Sequence, residues 1–292
     1  MDYNVRPLAG LFRGRSRKRA LGSLAVLTVA ATAGCASGHS QTAATQATAP
    51  AAAASPSGSA PGAGSASPAM CVKSEAKGAC GPYLYPAITQ SDGQNTTVGQ
   101  DVWSPITGWS QSIHVTDPGN WFVNANMPSG NTAVVSFPNV GQTYPENPLT
   151  DFSSIHSSFS EEMHATKDTS AWAAFDIWLN NWNNEVMIQH DFAGNGPCPS
   201  KATATFGGSN GVPEQSWNLC QYGSELIWKL AGGNEQSGSV DVLAMLTWLQ
   251  DHGYLPQKST LTDISYGWEI CSTGGKPETF TLSKFTVNAP TH

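Results

Sequence analysis

Positive charge is nearly absent from this sequence beyond its start. Arg6, Arg13, Arg15, Arg17, Lys18 and Arg19 hold six of the 14 basic side chains, and no arginine follows Arg19. The eight lysines that remain face 20 of the 21 acidic residues, so the chain past Leu21 carries a net charge of about −12. A nucleic-acid binder needs cations to displace the counterions of a phosphate backbone, and that partner class is excluded. Charged residues of both signs make up only 12% of the chain, beside 29 Gly and ten Trp, which excludes a long coiled coil or a bundle of charged amphipathic helices. No repeat recurs with a period of about 20–50 residues, against a propeller or solenoid. No Cys-x-x-Cys pair or close His/Cys spacing is present, against a zinc site, and the sequence implies no metal or cofactor. No apolar run reaches the roughly 20 residues that a membrane-spanning helix needs. An all-β secreted domain is the class that survives.

The basic stretch Arg13–Arg19 precedes an apolar run from Ala20 to Ala33, and Gly34-Cys35 follows. These are the n-region and h-region of a secretory signal. Thr32-Ala-Gly-Cys35 is similar to a bacterial lipoprotein cleavage box, although Thr32 stands where an aliphatic residue is usual. The expectation is a signal peptide over 1–34, lipidation at Cys35, and a protein anchored to the outer face of the bacterial cell membrane through that lipid alone. Residues 35–70 are nearly all Ala, Ser, Gly, Thr, Pro and Gln, with too little apolar surface to offset the entropy of ordering them, and read as a disordered tether. The folded domain is then 71–292.

Disulfides persist outside the cell, and the domain has five cysteines. Proximity in sequence pairs Cys71 with Cys80 and Cys198 with Cys220, and leaves Cys271 as a free thiol. Spacing alone does not fix connectivity.

Within the domain most segments alternate apolar and polar residues between turn signals, as in Thr132–Phe137 and Ala173–Leu179, so strands dominate. One stretch has helical period: Val242, Met245, Leu246 and Leu249, with Ser239 as N-cap and Gly253 as C-cap. The predicted fold is an all-β jelly-roll sandwich of two antiparallel sheets with one α-helix over about 239–252.

Two acidic stretches stand out. Phe175 to Asp191 reads as a hairpin with an Asn-rich tip at Asn181-Trp182. Phe175, Ile177 and Leu179 share one face with Val186 and Ile188; Asp176, Trp178, Glu185, Met187 and Gln189 share the other. Trp178 then lies opposite Glu185, with Asp176 on the diagonal. A carboxylate among Trp and Met, with a second acid nearby, has the surroundings that raise and separate carboxyl pKa values. In the second stretch Glu269 alternates with Asp263, Ser265, Gly267 and Cys271, small neighbours that leave room for a groove. Gly207-Gly-Ser-Asn-Gly211 fits the letters of a nucleophile elbow, but Val212-Pro213 follows at once and a turn is the better reading. His156 and His164 around Glu161-Glu162 read as a solvated loop, and His190 as a structural histidine on the apolar face.

Asp176-Ile-Trp178, Asn184-Glu-Val-Met-Ile188, Gly267-Trp-Glu-Ile270 after a helix, Lys284-Phe-Thr-Val-Asn288 and, upstream, Val135-Ser-Phe-Pro-Asn-Val140 together resemble glycoside hydrolase family 12, over roughly residues 120–290. Members of that family are β-jelly-roll endo-β-1,4-glucanases and xyloglucanases. The resemblance implies a retaining enzyme acting as a monomer on a β-glucan polysaccharide or oligosaccharide. It implies Glu185 as nucleophile, Glu269 as acid/base, Asp176 orienting the nucleophile and Met187 beneath the sugar, with Trp178 and Gln189 also lining the substrate. The family usually has Trp where Gln189 stands, and its N-terminal Asn-Asn-x-Trp-Gly signature has no clean counterpart here. Trp103, Trp109 or Trp121 would have to supply the stacking platform. Those departures motivate an alternative, a carbohydrate-binding surface lipoprotein without catalysis. A third possibility, a structural envelope domain, would neither bind nor cleave glucan.

Overall fold

The computed structural model describes residues 88–89, 95–102, 108–194, 196 and 198–292. The signal segment 1–34, Cys35, the linker 35–70, the Cys71–Cys80 pair and Trp103 lie outside the described residues.

The described chain folds into two sheets, one α-helix and a single 3-10 turn at Leu149–Asp151. The long sheet has nine strands in the spatial order β1 (Ile88–Thr89), β2 (Asn95–Gly99), β5 (Asn139–Pro148), β13 (Thr260–Thr273), β7 (Thr169–Leu179), β8 (Asn184–Ala193), β11 (Glu225–Leu230), β10 (Gln215–Tyr222) and β9 (Ala202–Phe206). The short sheet has five: β12 (Ser237–Asp241), β6 (His156–Met163), β14 (Glu278–Asn288), β4 (Asn120–Asn126) and β3 (Ser110–Asp117). This is the jelly-roll sandwich that the sequence pattern predicts. It departs from pure antiparallel pairing at one place, because β8 and β11 run parallel. Between them the chain makes the β9–β10 excursion and re-enters the sheet in its original direction; a parallel neighbour requires such a crossover.

Alternation on β7 and β8 drives the packing. Phe175, Ile177, Leu179, Val186 and Ile188 are fully buried in the main core, with Trp268, Tyr266 and Ile264 of β13. Each such side chain contributes about 1.5–3 kcal/mol by leaving water. His190 enters this core as well. It stacks on Phe159 at 3.8 Å between centroids, and its two ring nitrogens are partnered by the Tyr266 hydroxyl and the Glu235 carbonyl. A second, smaller cluster of Val134, Trp172, Ala174, Met187, Cys220, Ile227 and Cys271 covers the opposite face of the long sheet.

Four expectations are corrected. The helix α1 spans Val242–Asp251, and its N-cap is Asp241, whose carboxylate accepts from Ala244 N at 3.0 Å; Ser239 belongs to β12. Gly253 sits one residue beyond the His252 cap with φ +77°. Thr132–Phe137 is not a strand: only Ser136 bridges, to Val102 and Ile270, and the segment hangs on β13 through Val135 N to Ile270 O. Cys198–Cys220 forms as expected, but Cys271 is disulfide-bonded and buried, not a free thiol. The Gly207–Gly211 stretch is, as expected, a turn, carrying β9 into β10 with Ser209 bridging Val212.

Candidate active site

Register across the middle of the long sheet arranges the second face in rows. Asp263, Trp178, Glu185 and Glu225 form the first row, the last by extending the Leu226–Val186 pair one position. Ser265, Asp176, Met187 and Ile227 form the second; Gly267, Ala174, Gln189 and Lys229 the third. Beyond a bulge in β8, Glu269, Trp172 and Phe192 form the fourth. The face thus collects Asp176, Glu185, Glu225, Asp263 and Glu269. The hairpin tip is the one the sequence implies, with Trp178 opposite Glu185 and Asp176 opposite Met187.

On a flat sheet Glu269 and Glu185 would stand on the order of 20 Å apart along the strands. Successive strands twist relative to one another, which brings opposite corners of the face closer than that. The carboxyls of this face act on one another's charge. Glu269, 6% exposed, has its pKa pushed well up by burial first, then by the charges of Glu225, Asp176 and Glu185. Opposite it in register, the Trp172 indole N–H acts against that rise without closing a full hydrogen bond. Glu185 is raised to about 8 by burial and by Glu225. Asp176 is raised by burial and then by Glu185, against the lowering effect of Trp178, whose Nε1 donates to Asp176 Oδ2 at 3.0 Å. Asp263 is raised to about 7 by burial, while hydrogen bonds from Ser265 and Thr143 oppose the rise. Asp176 Oδ1, Glu225 Oε1 and Glu269 Oε2 are buried without hydrogen-bond partners. Such oxygens can accept from a ligand, and they cost stability while they have none.

The small residues beside Glu269 do not leave open space. A Cβ on Gly267 would lie 1.9 Å from the Pro138 carbonyl oxygen, because Pro138 and Asn139 run alongside β13 and Pro138 O accepts from Trp268 N at 3.2 Å. The glycine of Gly267-Trp-Glu269 is a packing requirement of the β5–β13 pair, and Glu269 is buried.

The tryptophans sort differently from the expectation. Trp109 and Trp121 are buried in the core between the sheets, Trp121 edge-on to Trp268, and neither has a free face for a sugar. In β4 the apolar set Trp121, Val123 and Ala125 already shares one parity, which is the inward one. Two residues that the sequence reading passed over belong to this region. Trp182, 48% exposed, sits at the tip of the β7–β8 hairpin with its ring 5.7 Å from that of Trp178. Asn180, Asn181 and Trp182 are consecutive left-handed residues, and Glu146 holds the turn by accepting from Asn181 N, Thr260 Oγ1 and Thr262 Oγ1. The other is Glu225, invisible as a neighbour of Glu185 because the parallel β8–β11 pairing is non-local. Gln189 is buried on the same face beside Lys229, whose ammonium lies 4.2 Å from the Phe192 ring centroid.

His156 faces Asp241 at 3.4 Å and His164 faces Glu162 at 3.3 Å, while Glu161 turns into the core. Among the described residues no group of three or more His, Cys, Asp or Glu side chains is arranged to hold a metal.

No family model matches the chain. It is 29% identical over 188 residues to a probable xyloglucan-specific endo-β-1,4-glucanase A of Aspergillus flavus, covering 59% of this chain and 75% of that protein. Its fold is similar to the xyloglucanase domain of NopAA, a type three effector from Sinorhizobium fredii solved with cellobiose. The TM-score is 0.58 at 21% identity, over 72% of this chain and 98% of that one. A family 12 xyloglucanase from Bacillus licheniformis gives a TM-score of 0.58 at 18% identity, over 70% and 97%.

Proposed function

We propose that this chain, a divergent member of glycoside hydrolase family 12, is a retaining glycosidase that cleaves β-1,4-linked glucan, with Glu185 as nucleophile and Glu269 as acid/base. The observation that carries this reading is the shared field of Glu185, Asp176 and Glu269 on one face of the long sheet. Retention requires one carboxylate and one carboxylic acid about 5–5.5 Å apart. Glu269 is buried and feels three like charges, whereas Glu185 is half-buried, so the shared negative charge settles on Glu185. Glu185 attacks the anomeric carbon and forms a glycosyl ester while Glu269 gives its proton to the departing oxygen. Glu269, now a carboxylate, then takes a proton from water, which hydrolyses the ester and regenerates both groups. Asp176 sits diagonally beside Glu185, its Oδ2 accepting from Trp178 Nε1.

For substrate, Met187 and Gln189 lie beneath the sugar and Trp178 with Trp182 forms an aromatic platform at the hairpin end. Each proposed reacting group comes from a single chain, so a monomer suffices. The sequence of residues 1–70 supports export and anchoring through an acylated Cys35 at the outer membrane face.

The test is release of reducing ends from carboxymethylcellulose, mixed-linkage glucan and xyloglucan by the wild type and by Glu185→Gln. At least one substrate is cleaved, and the variant loses roughly 10⁴-fold in kcat. Binding without cleavage by the wild type would favour the non-catalytic reading that Gln189 motivates. Full activity in the variant would remove Glu185 from the mechanism.

A further inference from the structure

The β10–β11 hairpin delivers a carboxyl that this reaction does not use. Glu225 opens β11 one position before the Leu226–Val186 pair and so stands beside Glu185 at about the 4.8 Å spacing of neighbouring strands. Alternation puts it on the face of Glu185 and Met187: Leu226, Trp228 and Leu230 enter the main core, while Ile227 packs with Met187 and Cys220. Glu225 is 3% exposed, and its Oε1 is buried without a hydrogen-bond partner. The hairpin is pinned on both sides, since Tyr222 pairs with Glu225 across the turn and Cys220, bonded to Cys198, pairs with Ile227. Burying a carboxyl with an idle oxygen costs stability that an apolar side chain of the same size would not. What the acid offers in return is charge.

We propose that Glu225 is a positioning residue for the Glu185–Glu269 pair, its carboxyl setting the pH window in which that pair divides into one carboxylate and one acid. The proposal rests on the reading of Glu185 and Glu269 as the reacting groups. The titratable groups that Glu225 meets are Glu185 on β8, Asp176 on β7, Glu269 on β13 and Tyr222 on β10; Lys229 follows on its own strand over Phe192. Asp263 and Asp101 act on Asp176. Glu225 is the foremost charge acting on Glu269 and the charge that raises Glu185. Its own pKa is pushed up to about 8 by burial and then by Asp176. As pH rises these acids release protons in coupled steps. Once Glu225 ionises, its charge holds the proton on Glu269, and the acid needed for leaving-group departure survives to higher pH.

The experiment follows the side-chain carboxyl carbons of ¹³C-labelled glutamates by NMR titration, assigned with Glu185→Gln and Glu269→Gln. In Glu225→Gln the Glu269 midpoint falls by about one pH unit, Glu185 moves in the same direction, and the alkaline limb of kcat/KM on soluble β-glucan moves with them. Glu225→Asp, which withdraws the carboxyl by one methylene, gives a smaller shift of the same sign and decides the matter if Glu225→Gln does not fold. Unchanged midpoints in these variants overturn the proposal, as does lost activity with unmoved pH limbs, which marks a merely structural role. A wild type that does not hydrolyse glucan defeats the glycosidase reading separately, and the NMR midpoints still decide whether Glu225 governs its neighbours.

Discussion

The two faces of the β7–β8 hairpin are built from one stretch of sequence and answer to opposite demands. The inward face, Phe175, Ile177, Leu179, Val186 and Ile188, is apolar and fully buried against β13 and the short sheet. The outward face carries Asp176, Trp178, Glu185, Met187 and Gln189, acids and aromatics together, and faces Glu225 and Glu269. A strand with period 2 can separate the two tasks residue by residue. One face supplies the stability that the other spends on buried charge.

The separation can be broken from either side. Glu269→Gln removes the proton donor and lowers kcat by about 10²–10⁴-fold, with no loss of Tm, because it also removes a buried acid; kinetics beside a thermal melt check both halves. Ile177→Ala, one residue from Asp176 but on the inward face, costs about 2–5 kcal/mol in denaturant unfolding while the folded fraction keeps its kcat. A variant of either kind that behaved like the other would show that the faces are not independent.

The pH dependence of stability sharpens the comparison. Asp101 at about 6, Asp263 at about 7, Glu185 and Glu225 at about 8 and Glu161 at about 9 are all raised by burial. The folded state binds these protons more tightly than the unfolded chain, so the stabilising contribution is complete below the unfolded carboxyl range, is lost progressively as pH climbs above it, and is gone once each folded value, about 6 to 9, is passed. His190, lowered to about 4, acts in the opposite direction, since its contribution is present above the unfolded histidine value and fades as pH falls toward 4. Five acids outweigh one histidine across the whole interval, so Tm measured by calorimetry is highest near the unfolded carboxyl range, about pH 4, and declines steadily to pH 9. A flat profile over that range would mean that the acids are hydrated, not enclosed.

The smallest effect belongs to the rim. Trp182→Ala deletes an exposed ring at a left-handed position, raises KM on long glucans by about 2–12-fold and leaves kcat on a short aryl glycoside unchanged. An equal KM on both substrates before and after the change would take Trp182 out of the binding surface.

How much of this was legible in the sequence follows from how local each feature is. The hairpin register, the parity of Glu185 against Val186 and the helix face all depend on residues within a few positions, and the sequence reading finds them. The helix start slipped by two residues because Ser239 and Asp241 are both plausible caps, and the pairing of β12 with β6 decided between them. Residue type alone makes Trp109 and Trp121 candidate sugar platforms; the inward parity of Trp121 with Val123 and Ala125 argues otherwise. Glu225 could be sorted to the correct face of its own strand but not placed beside Glu185, since the β8–β11 pair joins segments some forty residues apart. Gly267 looked like open space because the backbone that fills it, at Pro138, comes from another part of the chain.

The central claim is that Glu185 forms a covalent glycosyl ester during turnover. Incubation with a 2-deoxy-2-fluoro cellobioside bearing an activated leaving group, followed by intact mass and peptide mapping, tests it directly. The account predicts one added fluoroglycosyl group, carried by Glu185 and absent in Glu185→Gln. An active wild type that carries no adduct, or carries it on another residue, would contradict it.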